Sequence, residues 1–171
     1  MIINKLVAGQ RVLLSGVIYT ARDQAHKRIA ESLFNEKKPP FDLIGQAIYY
    51  VGPAPAKPGE IIGSAGPTTS GRMDVYTPLM LENGIRVLIG KGKRNQDVKA
   101  ALLKTGSVYL AAYGGAGALL ANSIKKADII AYEDLGPEAI YRLEVEDFPV
   151  IVIIDILGND YYEQVEEHRN A

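Results

Sequence analysis

The sequence predicts an α/β domain built on a parallel central sheet with a further layer of strands. Three observations carry this. Short runs rich in valine, isoleucine and leucine recur along the chain, helix-period segments lie between them, and from residue 86 onward the two alternate regularly. Strands that alternate with helices favour parallel pairing through right-handed crossovers. The 171 residues suffice for one core, since a chain near this size buries roughly 68–70% of its unfolded surface, and a single domain over 1–171 is expected.

The elements follow in order. RVLLSGVIY (11–19) reads as a strand, and ARDQAHKRIAESLFNEK (21–37) as a helix. In that helix Ala25, Ile29 and Leu33, with Ala30 and Phe34, make an apolar stripe, and Asp23 is a first-turn acid or cap. Lys37 to Pro40 end it. QAIYYV (46–51) is a second strand. GPAPAKPGEIIGSAGP (52–67) holds too much proline and glycine for a regular element and reads as a long ordered loop, a kind that often carries function. A helix is expected over about 70–82, with Met73, Tyr76, Leu79 and Met80 on one side. A strand at 86–90, a helix at 96–104 closed by Gly106, and a strand at 108–113 come next. A short helix over GALLANSIKK (117–126), a strand at 127–132, a helical start to PEAIYRLEVED (137–147) and a strand PVIVIIDI (149–156) complete the reading. No repeat, low-complexity tract or linker interrupts it.

Composition excludes several functions. The net charge of −1 argues against nucleic-acid binding through bulk positive charge. With no cysteine, the chain forms no disulfide and offers no thiolate to zinc or to an iron–sulfur cluster. Its two histidines, His26 and His168, do not make a self-contained metal site, so no metal ligand is expected here. Gln10 and Arg11 interrupt the first apolar stretches, so no signal peptide is read, and no apolar run approaches the ~20 residues of a membrane helix. A cytoplasmic protein with no membrane or nucleic-acid partner is expected.

Four stretches could carry chemistry. GSAGPTTSGRMD (63–74) crowds glycines and small hydroxyl residues before an apolar run. Thr68, Thr69 and Ser70 stand at an expected helix start, where free N–H groups and the helix dipole favour an anion, and Arg72 could add a charged fork. The alternative is a capped helix with a surface arginine. IGKGKRN (89–95) sets Lys91, Lys93 and Arg94 where a parallel strand ends, the place α/β proteins put ligands. It is not a P-loop, and a solvated basic loop is the other reading. YTARDQAHKR (19–28) puts Arg22 at another strand end, suited to grip a carboxylate, and His26 four residues on, as a proton shuttle or as a capping or packing group. YGGAGALLANS (113–123) follows a strand and opens a helix, but Leu120 stands where a dinucleotide fingerprint needs glycine or alanine. A tight turn or a subunit contact is the reading preferred there. Arg22, Arg72 and Lys91 together would form a cationic set over three strand-end loops, suited to a small dianion.

TARDQAHKR, YYVGPAPAKPGEIIGSAGPTTSGRMD, GIRVLIGKGK, VYLAAYGGAGALLA and VEDFPVIVIIDILGND, in this order, resemble the β subunit of class I fumarate hydratases and the β subunit of L(+)-tartrate dehydratase. The resemblance runs from about Ala8 to Tyr162. It implies a swivelling β/β/α domain of three layers, with a parallel central sheet and a second smaller sheet. It also implies an α partner holding a [4Fe–4S] cluster on three cysteines, in a complex of two α and two β chains. The implied reaction is the reversible dehydration of (S)-malate to fumarate, with tartrate dehydration, or dicarboxylate binding without catalysis, as alternatives. By the same resemblance Arg22 and Arg72 hold substrate carboxylates, Lys91 contacts the substrate, and Thr68 lies beside the carbon that loses its proton. Thr68 is then the expected proton acceptor, activated by an acid of the partner because a threonine hydroxyl is neutral at pH 7. His26 and Thr69 belong to the same blocks and are expected to support them.

Overall fold

The computed structural model describes residues 2–113 and 115–171. The strands are β1 (Arg11–Thr20), β2 (Ala47–Tyr49), β3 (Val87–Gly90), β4 (Val108–Ala112), β5 (Ile124–Ala131) and β6 (Ile140–Ile154). The helices are α1 (Asp23–Phe34), α2 (Thr77–Glu82), α3 (Gln96–Thr105), α4 (Gly117–Asn122) and α5 (Tyr161–Asn170), with 3₁₀ turns at Ile3–Lys5, Ser70–Met73 and Glu133–Glu138. The chain is a mixed α/β unit around one six-stranded sheet, in the order β1-β2-β3-β4-β6-β5.

β1, β2, β3 and β4 run parallel, each hydrogen-bonded to the next. β6 is antiparallel to β4 and pairs along β1 from Arg11↔Ile151 to Tyr19↔Arg142, which partly closes the sheet on itself. β5 adds to β6 as an antiparallel partner. Two expectations change here. The parallel pairing runs from β1 to β4, and of the strands from residue 86 onward only β3 and β4 take part in it. And β5 with β6 hydrogen-bonds into this same sheet instead of forming a sheet of its own. The cause is connection length: β5 and β6 are joined only by the turn at Glu133–Glu138, and parallel strands need a crossover of a dozen or more residues.

Local chemistry explains the other differences. The helix expected over 70–82 is a 3₁₀ turn followed by α2, which has Pro78 in its first turn. Proline lacks the N–H of a continuing helix and clashes with the preceding turn, so it restarts a helix rather than passing through one. GALLANSIKK leaves the helix at Asn122 because Ile124 is drawn into the core as the first residue of β5. PEAIYRLEVED, expected to start helical, becomes strand from Ile140. Its Ile140, Leu143 and Val145 are buried. α3 ends as read, on Gly106 in the left-handed region at φ 63.

Period-two alternation divides the core. Ala47, Tyr49 and Val51, Val87 and Ile89, and Val108, Leu110 and Ala112 face one cluster, which gathers residues from all six strands. Ile48 and Tyr50, Leu88, and Tyr109 face the other, where α1, α2 and α3 cover the sheet. The same pleat sets the site, because β1, β2 and β3 end side by side.

Candidate active site

The C-terminal ends of β1, β2 and β3 and the loop before α2 form one neighbourhood. Past the last ladder pair, the Tyr50 amide still donates to the Ile89 carbonyl at 2.8 Å. The GPTTS segment then runs in beside them. The Thr68 amide donates to the Tyr50 carbonyl at 2.7 Å, and the Ser70 amide to the Lys91 carbonyl at 2.9 Å. Thr69 bridges Lys91 in a parallel sense. Thr68 and Lys91 are therefore brought together by backbone bonding. Those bonds also use amides that a helix-start anion site would need. The power to hold an anion here rests on side chains.

Arg22 stands at the N-terminal boundary of α1 after the end of β1, and its guanidinium lies over Gly52, just past β2. A Cβ on residue 52 would sit 2.7 Å from Arg22 Nη1 and 2.9 Å from its Cδ. The Arg22 Nε is buried without a hydrogen-bond partner among the described residues. Arg72 reaches the same helix start, its Nε 3.7 Å from Asp23 Oδ1, and is largely exposed. Arg22, Arg72, Thr68 and Lys91 thus fall around adjoining strand ends.

The three cations of the 89–95 loop divide by partner. Lys93 pairs with Glu166 of α5. Arg94 is buried and pairs with Asp74, Nε to Oδ1 at 2.6 Å. Among the described residues Lys91 has no carboxylate partner, and neither does Arg22. The basic loop is therefore not uniformly solvated: one cation is structural, one is tied at the surface, and Lys91 is left uncommitted.

His26 is fully buried between Tyr50, at 5.4 Å between ring centroids, and Tyr76, at 6.1 Å. Its Nδ1 lies 2.8 Å from the Arg22 carbonyl. A carbonyl only accepts, so Nδ1 carries the proton and Nε2 is bare, with no partner among the described residues. Burial lowers its pKa to about 4, against the opposing hydrogen bond to Arg22 and with the Arg94 charge adding to the fall. Of the two readings the sequence left open, this geometry is the capping and packing one.

Sequence reasoning missed the buried pair behind the site. Asp74 also accepts from the Asn95 amide at 2.8 Å, while Arg94 Nη2 donates to Thr77 Oγ1 at 2.8 Å and to Tyr50 Oη at 3.2 Å. The guanidinium lies over the Tyr50 and Tyr109 rings, at 5.2 and 4.8 Å from their centroids. Both charged residues stood at the ends of quoted motifs, but nothing in their spacing pairs them. Of the YGGAG stretch, Gly114 lies outside the described residues. Gly117 accepts from the Ala65 amide at 3.1 Å, so this turn packs on the GSAG loop.

Residues 1–165 match a family described as Fumarase C-terminus. The chain belongs to that family. The protein is 42% identical over 158 residues to "Fumarate hydratase class I, aerobic" of Escherichia coli (strain K12), covering 91% of this chain and 29% of that one. To "Fumarate hydratase 2" of Leishmania major it is 41% identical over 162 residues, covering 94% of this chain and 28% of the relative. To "Putative L(+)-tartrate dehydratase subunit beta" of Methanocaldococcus jannaschii it is 44% identical over 171 residues, covering 96% and 88%. This family member thus spans under a third of the two fumarate hydratases but most of the tartrate dehydratase subunit. Its own residues do not fit an iron–sulfur cluster. There is no cysteine, and among the described residues no three His, Asp or Glu side chains gather to hold a metal ion. Nor, among the described residues, is any helix long and apolar enough to cross a membrane.

Proposed function

We propose that this chain is the β subunit of a hydro-lyase that reversibly dehydrates (S)-malate to fumarate together with an α partner. The observation that carries it is the Fumarase C-terminus match over residues 1–165, and the presence of Arg22, Arg72, Lys91 and Thr68 near adjoining strand ends supports it. In this reading the iron–sulfur cluster lies outside these 171 residues, in a cytoplasmic complex of two α and two β chains. The domain is one unit over 1–171, of the swivelling β/β/α type.

This chain's part of the chemistry follows from its charges. The C3 proton of malate is a weak acid, and its removal builds negative charge on the adjacent carboxylate. Arginines that bond that carboxylate stabilise the charge as it forms and fix the orientation of the carbon. Thr68, with its backbone held by Tyr50, accepts the C3 proton as its own hydroxyl proton passes to a carboxylate of the partner acting as base. Lys91 adds a third positive charge on the substrate, and His26 and Thr69 support the two loops. A second reading, tartrate as substrate, is favoured by the match to 88% of the M. jannaschii subunit.

The test is co-purification under anaerobic conditions with a cysteine-bearing partner, followed by assays on malate, fumarate and tartrate. Malate–fumarate turnover by the complex is expected, and Arg72→Ala should lower kcat/KM by about 10- to 100-fold, the worth of a charge-assisted hydrogen bond. Turnover of tartrate alone would shift the substrate. A chain that binds dicarboxylates but gains no activity from a cluster-loaded partner would overturn the enzyme reading.

A further inference from the structure

We propose that Ser70 and Tyr109 are positioning residues that set the Lys91 side chain by fixing the backbone on both sides of it. The inference rests on the reading of Lys91 as a substrate cation. Its geometry stands apart from that reading.

The bonds form a chain with a determined direction. Tyr109 Oη lies 2.7 Å from the Gly92 carbonyl, which only accepts, so the phenol proton points there. Ser70 Oγ lies 2.8 Å from Tyr109 Oη. With the phenol proton committed, the serine proton goes to the phenol oxygen. The Lys91 amide then donates to Ser70 Oγ at 3.0 Å. The Ser70 amide donates back to the Lys91 carbonyl at 2.9 Å. The peptide N–H of Lys91, its carbonyl and the carbonyl of Gly92 are therefore all held by two residues.

Packing alone does not call for this arrangement. Phenylalanine and alanine would fill the same space without burying hydroxyls, and Ser70 and Tyr109 are both fully buried. The chain also constrains a third position. A Cβ on Gly90 would stand 2.1 Å from Ser70 Oγ and 2.7 Å from Tyr50 Cδ2, so only glycine lets the serine reach the Lys91 amide. Because Ser70 closes the segment that carries Thr68 and Thr69, one hydroxyl ties the threonine segment to the lysine loop.

The experiment uses Tyr109→Phe and Ser70→Ala in the assembled complex and in the full chain. Tyr109→Phe keeps the ring against Arg94, so the melting temperature should fall by only a few degrees. In the complex kcat/KM should fall about three- to tenfold, the worth of a lost neutral hydrogen bond. The double variant should lose more than either single change, because Tyr109 still holds the Gly92 carbonyl when the Ser70 hydroxyl is gone. In a Lys91→Ala background Tyr109→Phe should have almost no further effect, because the route through Lys91 is gone. A full additional loss in that background, or unchanged kcat/KM with Lys91 present, would overturn the proposal. Amide hydrogen exchange in the full chain reads the same geometry without turnover. The Lys91 amide is expected to be protected in the parent and to exchange faster in both variants. Unchanged protection would sink the proposal even if the hydro-lyase reading stands, whereas absent turnover with altered protection would remove the function reading and leave the backbone clamp intact.

Discussion

His26 reports on its surroundings through its charge. Its pKa is about 4 in the folded chain against 6.5 for an exposed histidine. Between those values the unfolded chain binds a proton that the folded chain refuses, so stability falls as pH drops from about 6.5 towards about 4. The slope for one proton is at most about 1.4 kcal/mol per pH unit. Urea unfolding at pH 7 and pH 5 should show the loss, and His26→Gln should flatten it at some cost in stability. Arg22 gives the second test at this scale. Gly52→Ala would put a methyl within 3 Å of Arg22 Nη1. The flexible guanidinium should yield rather than the backbone. The expected result is a fall in kcat/KM in the direction of Arg22→Ala but smaller, with circular dichroism unchanged. The places of Arg22 and Lys91 were legible in the sequence, as cations at strand ends inside specific blocks. The fate of Arg94 was not, since a basic residue two positions from Gly92 carries no local sign that it will be buried.

At the scale of elements, the Asp74–Arg94 pair ties the turn before α2 to the loop before α3. Asp74 bonds both Arg94 and the Asn95 amide, and Asn95 in turn caps α3 by accepting from the Val98 amide at 2.9 Å. Removing one partner strands the other in the interior. Arg94→Met should therefore cost about 3–5 kcal/mol, measured by urea unfolding. The double variant with Asp74→Leu should recover part of that loss. A cost below 1 kcal/mol for Arg94→Met would mean that the site loops do not depend on the pair. Element types were mostly readable: β1, α1, β3, α3 and β4 follow from apolar runs, helical spacing and Gly106. Where the reading failed, long-range pairing outweighed local preference. Tyr141 to Val145 became strand because β1 and β5 both bond to it. The break before α2 was visible in Pro78, a signal stronger than the apolar spacing that ran across it.

For the whole molecule, the decisive feature is a sheet that turns back on its first strand. Phe148 sits where β6 meets β1 opposite Leu14, fully buried and edge-on to Tyr49 at 5.2 Å. Phe148→Ala should cost about 3–5 kcal/mol, read from the denaturation midpoint. The α/β class and the parallel strands were legible, because each strand has its own local pattern. The closure was not, since it joins residues 11–19 to residues 142–151, and no periodicity reports a partner that far away.

That closure also orders events during synthesis. β1 meets β2 in register only at Tyr19↔Ile48 and Thr20↔Tyr49, whereas its long partner is β6. A chain still emerging from the ribosome holds β1 with most of its edge unsatisfied until residues beyond Ile140 are made. The first strand of this unit is thus among the last to be secured, and folding of the unit is a late, largely concerted step.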